Sequence, residues 1–169
     1  MSISLYDASV PVFRQMLGSL SAVLGKGAAQ AAARGFDPAV LLHARLYPDM
    51  FPLVRQVQIA CDTAKNGVAR IAGVEAPRHA DNDQSIEELQ ARIATVLEYI
   101  EGIGRERIDG QEAREVTVPL RDSSLRFEAQ HYLLHWALPN FYFHVATAYD
   151  ILRHNGVELG KRDFLGKFD

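Results

Sequence analysis

The chain reads as an all-α protein, a four-helix bundle with extra short helices and a small β-hairpin before the last long helix. Three observations predict this. Four segments repeat apolar residues at three- and four-residue steps. Capping and stopping residues punctuate those segments. One stretch, near 115–127, alternates polar and apolar residues instead. With 169 residues, 48% hydrophobic and 23% charged, residues 1–169 are expected to form a single domain with its own core.

The first pattern runs over residues 4–24, where Leu5, Phe13, Leu17, Leu20 and Leu24 form one stripe. Pro11 removes a backbone donor, so the helix either kinks there or starts near Val10. Gly25 and Gly27 are expected to break it. Residues 26–34 are alanine-rich and read as a separate short helix that Gly35 ends. Asp37-Pro38 opens another short helix over 38–46. Asp49 is the expected cap of the second long helix, with Pro52 in its first turn and Leu53, Val57, Ala60, Ala64, Val68 and Ile71 as its apolar face. Gly73 stops it.

Residues 74–84 read as a polar loop. Ser85-Ile-Glu-Glu88 is a capping box that opens a third long helix, 86–102, with Ile86, Leu89, Ile93, Val96, Leu97 and Ile100 inward. The hairpin follows, with strands 115–120 and 125–127 and a turn at 121–124. Residues 128–138 are expected to form a short helix. Pro139 then opens the last long helix, which closes at Asn155-Gly156. The tail is polar, with Phe164, Leu165 and Phe168 as anchors.

Composition narrows function by exclusion. The net charge is -3, and no lysine or arginine run gives the positive footprint of a nucleic-acid binder. No stretch is apolar enough to span a membrane, and Met1-Ser-Ile-Ser-Leu-Tyr-Asp lacks the pattern of a signal peptide. The lone cysteine, Cys61, can form neither an internal disulfide nor a CxxC site. A reducing, cytoplasmic setting is the expectation. Neither a GxSxG elbow nor a glycine-rich phosphate loop is present, which disfavours the common hydrolase, dinucleotide and NTP-binding classes.

The candidate chemistry is histidine chemistry. His131 and His135 lie four apart and share a helical face, which is half a metal site. His144 borders the ladder of Phe141, Val145, Ala148 and Leu152, with Asn140 one turn earlier, so it should look into the bundle or a cleft. Neither HExxH nor ExxH surrounds it, which disfavours zincin and di-iron chemistry. Gln56 and Gln58 stud the second long helix, with Asp62 further along, and Gln56 sits where a polar side chain can line a bundle cavity. His43 and His79 read as surface residues, and His154 sits at a helix end where an imidazolium suits the dipole. Cys61 reads as a small hydrophobe. Trp136, Phe141, Tyr142 and Phe143 are too dense to point one way, so some should pack and others cover a neighbour or a partner.

Four segments together carry a resemblance: Tyr47-Pro-Asp-Met-Phe-Pro-Leu53 with Gln56-Val-Gln58; Leu138-Pro-Asn-Phe-Tyr-Phe-His144; Ala148-Tyr-Asp-Ile-Leu-Arg-His-Asn-Gly156; and Gly160-Lys-Arg-Asp-Phe-Leu-Gly166. They are similar to a bacterial family of unknown function in the DinB/YfiT-like superfamily. The resemblance implies an up-down-down-up bundle with a long crossover, often dimeric. Relatives of that kind often bind a divalent metal through three histidines, and some are thiol-dependent transferases. His144 matches the last of those histidines. The other two positions fall at Asn140 and near Gln56. Amide oxygens bind zinc or nickel poorly beside imidazole, so no bound metal or other cofactor is expected. If a metal is held, His144 would need help from His131, His135 or Asp49. The reading is a homodimer whose cleft, lined by Gln56, Asn140 and His144, takes a small molecule or a partner. A divalent-metal-dependent transferase and a purely structural homodimer are the alternatives.

Overall fold

The computed structural model describes residues 3–167. Helix α1, Val10–Arg34, starts at the later of the two expected points, with Pro11 in its first turn. It does not break at Gly25 or Gly27. Those glycines are packing devices: a Cβ on Gly27 would lie 3.1 Å from Leu152, and one on Gly25 3.3 Å from the Gln90 amide. Close approach, not a turn, is what they permit, so the separate alanine-rich helix is corrected to the C-terminal part of α1. The real stop is Gly35, in the left-handed region at φ 73°.

Helix α2, Ala39–Leu42, is shorter than expected. Helix α3, Leu53–Ala72, follows Pro52 directly, and no side chain caps it, so Asp49 does not play that part. Helix α4, Ile86–Glu101, begins at the expected cap, where Ser85 accepts a hydrogen bond from the Glu88 N–H at 3.1 Å. The Glu88 carboxylate accepts from the Gln84 N–H and not from Ser85, so only half of the capping box forms. A 3₁₀ turn, Arg105–Arg107, leads to the hairpin, β1 Glu115–Pro119 and β2 Ser124–Glu128. Val116 pairs with Phe127 and Val118 with Leu125, and these alternate residues turn toward the core.

The short helix expected over 128–138 is not separate from the last one. Helix α5, Ala129–Tyr132, passes through a π turn, Leu133–Ala137, into α6, Leu138–His154. Pro139 has no N–H to give the His135 carbonyl, and its ring crowds that carbonyl. A widened turn just before the proline relieves the crowding. Helix α7, Lys161–Leu165, docks on α1: Ser19 donates to backbone carbonyls at Asp163 and Phe164, and Phe164 packs edge-on to Tyr149 at 5.7 Å. Phe168, the third expected anchor, lies outside the described residues.

Long-range contacts give the helix directions. Arg14 faces Glu101 and Phe13 meets Phe141, so α1 runs against α4 and along α6. Gln58 reaches Asp83 near one end of α3 and α4, and Tyr99 reaches the Glu75 carbonyl near the other, so these two run parallel. The order is up-down-down-up, with 74–85 as the crossover. Leu17, Leu20, Leu53, Val57, Leu89, Ile93, Phe141 and Leu152 are among the residues of one continuous core. Among the described residues, no helix is long and apolar enough to cross a membrane.

Cys61 is fully buried in this core, and burial pushes its thiol up to about 12. In native protein it should therefore resist a disulfide-exchange reagent and react only after unfolding in urea. Rapid stoichiometric labelling without denaturant would show that α3 opens locally.

Candidate functional site

The seam between α3 and α6 holds a polar pair in apolar surroundings. Gln56 on α3 is buried, and its Oε1 lies 2.7 Å from Nδ1 of His144 on α6. The Gln56 amide nitrogen donates to the Phe51 carbonyl at 3.1 Å. A carbonyl can only accept, so the amide must turn its NH2 toward Phe51 and its oxygen toward His144. Nδ1 of His144 therefore carries the proton and donates it. Nε2 is left with a lone pair and has no partner among the described residues. Burial first, then the nearby Arg55 cation, hold this imidazole below the ordinary histidine range, so it is neutral near pH 7.

Asn140 is one turn back on α6, where its amide donates to the Trp136 carbonyl at 2.7 Å. That carbonyl lies in the π turn. Gln56 and His144 thus meet directly, while Asn140 serves its own helix. His131 and His135 are neighbours, with ring centroids 4.4 Å apart, but both are exposed, and His131 stacks on Phe127. Asp49 is exposed in the loop before α3. Among the described residues, no three His, Cys, Asp or Glu side chains converge as metal ligands. The donors near His144 are one imidazole nitrogen and two amides, one of whose oxygens already accepts from that imidazole. This set does not fit a tightly held transition metal.

The sequence did not single out two contributors. Phe51 supplies the carbonyl that orients Gln56, and Arg55 supplies a charge that adds to burial in keeping His144 neutral. Proximity to Gln56 was the available signal for both. Phe143 stands edge-on to His144 at 5.2 Å with most of its surface exposed, and Phe51 is also exposed.

The neutral imidazole has a consequence for stability. A histidine whose folded value is depressed contributes stability above its unfolded value, about 6.5, and that contribution fades as pH falls. His79 is held down in the same direction, by burial first and then by Lys65 and Arg92. Unfolding free energy, measured in urea at a series of pH values, should fall between about pH 7 and pH 5. The combined His144→Gln and His79→Gln variant should show a flatter dependence. An unchanged slope would assign the effect to other groups.

Helix order and the long crossover define the class: an up-down-down-up four-helix bundle. A family profile described as "Domain of unknown function (DUF1993)" matches residues 5–165. The chain belongs to that family. It is also similar to a DinB family member protein from Shewanella denitrificans, known from a crystal structure, with 44% identity, coverage of 97% of this chain and 93% of the other, and a TM-score of 0.88. No match is found among curated proteins.

Proposed function

We propose that the chain binds a small molecule at the α3–α6 seam, with Nε2 of His144 as the hydrogen-bond acceptor. The observation that carries this reading is the relay Phe51 carbonyl, Gln56 amide, His144 Nδ1–H, which fixes the tautomer and leaves the Nε2 lone pair free, while burial and then Arg55 keep the ring neutral. Gln56 is itself held at both ends of its amide, so the ring it contacts is fixed in one orientation. The exposed rings of Phe143 and Phe51 offer apolar area nearby. The ligand class is therefore an apolar body bearing one O–H, N–H or S–H donor, with Asn140 lining the same face of α6. The single buried Cys61 and the absence of a membrane-crossing helix among the described residues agree with a cytoplasmic setting.

Ring ¹⁵N shifts test the reading. His144 should report the Nδ1–H tautomer, and small phenols, alcohols or thiols should perturb Nε2 saturably. His144→Ala should abolish binding yet lower unfolding free energy by less than about 2 kcal/mol. A larger loss with no ligand response would make the pair a core hydrogen bond only. Stoichiometric zinc or nickel retained through His144 would favour the metal-dependent alternative.

A homodimer is a second reading, supported by the exposure of Tyr47, Phe51, Tyr142 and Phe143. Light scattering should then give twice the chain mass, and Phe143→Glu should return it to one.

A further inference from the structure

The crossover between α3 and α4 builds a second polar cluster that the His144 site does not use. Arg92 on α4 is nearly fully buried, its side chain 5% exposed. Its Nε and one terminal nitrogen donate to Asp83 at 3.0 and 2.7 Å, and that nitrogen also reaches the Ala80 carbonyl. The other terminal nitrogen, Nη1, is buried without a hydrogen-bond partner among the described residues, and so is Nδ1 of His79. Both residues line one solvent-open cavity of about 450 Å³, walled also by Arg78, Ala91 and Thr95. A neighbouring cavity of about 640 Å³ shares Arg78 and His79 and brings in Lys65.

Buried polar atoms nearly always have partners, so two idle ones on residues that line one cavity, just beneath its surface, point to a ligand that reaches them. A guanidinium offers only donors. Asp83 already occupies the Nε edge of Arg92, which leaves Nη1 for a different acceptor. Burial, Lys65 and Arg92 disfavour a charge on His79, whereas Asp62 and Asp83 oppose them weakly, so its ring is neutral and can donate from Nδ1. Two donors from two elements suit the two oxygens of one carboxylate. The same cavity presents Asp83 and Glu88, and Asp81 lies 3.5 Å from Arg92; these carboxylates oppose any anion and oppose a doubly charged one more strongly than a singly charged one.

We propose that this cavity binds a monocarboxylate, whose oxygens accept from Nη1 of Arg92 and Nδ1–H of His79. The site stands independently of the His144 reading.

Acetate is the probe, replacing chloride at constant ionic strength, and the readout is the His79 ring resonance, assigned by its loss in His79→Gln. A saturable shift is expected, with the His79 titration midpoint rising by about one unit at saturation, because a bound anion favours imidazolium. Arg92→Lys keeps a cation beside Asp83 but removes Nη1, and should weaken binding about tenfold or more. Should that variant fail to fold, Ala91→Trp decides: Ala91 is an exposed cavity-lining residue on α4, so a bulky ring there should block acetate without touching the ion pair. No saturable shift, a shift that survives Ala91→Trp, or equal binding of inorganic phosphate would overturn the proposal.

Discussion

Replacing Arg92 with methionine should lower the unfolding free energy by about 3–5 kcal/mol, as expected when one partner of a buried ion pair is removed. The methionine fills much of the same volume, so the loss reports charge rather than a cavity. Asp83 would lose its charged partner and keep the Gln58 amide, at 2.8 Å, and a backbone N–H, with its side chain 10% exposed. Burial works against ionising Asp83, but the Arg92 and Gln58 hydrogen bonds outweigh it and hold the carboxyl below its ordinary value of 3.8. The sign follows: the pair's contribution is fully present above that value and is lost as pH falls through the depressed one. The deficit of Arg92→Met, measured by urea unfolding, should therefore be largest near neutrality and shrink in acid. A deficit below about 1 kcal/mol and flat with pH would place the pair among weak surface ion pairs.

Phe13→Ala should cost about 3–5 kcal/mol as well, for an apolar reason. Phe13 is fully buried and meets Phe141 edge-on, with centroids 4.8 Å apart and planes at 86°. Its ring also covers Gly67 on α3, so three helices converge on it. Truncation leaves a void that three backbones would have to move to fill. Gly67→Ala makes the contrast. A Cβ there would sit 3.5 Å from the Phe13 ring and 3.8 Å from Ala137, which is ordinary contact. That variant should fold and gain up to about 1 kcal/mol from helix propensity. A thermal scan ranks the two directly. A Phe13→Ala midpoint within a few degrees of the parent would mean the core collapses around the void.

Much of the secondary structure was legible because its causes are local. Ser85 with Glu88, Gly73 after Ala72, and the Val116–Val118 alternation each act within four residues. The misreadings share one origin. Gly25 and Gly27 look like breakers unless Gln90, Leu41 and Leu152 are known to approach them. Residues 128–138 look like a separate helix unless a π turn can absorb Pro139. Arg92 carried a usable signal: it falls three residues after Leu89 and four before Val96, on the inward stripe, downstream of an acidic loop. His79 carried none, since a loop histidine reads as surface.

Periodicity and capping in the sequence alone determined that four long helices and a hairpin would form, and that His144 would border an apolar face. Only the tertiary structure decided which polar groups were buried together. Gln56 meets His144 across 88 residues, and Gln58 meets Asp83 across 25. Desolvation of a polar atom depends on what packs over it, and no window of neighbouring residues contains that information.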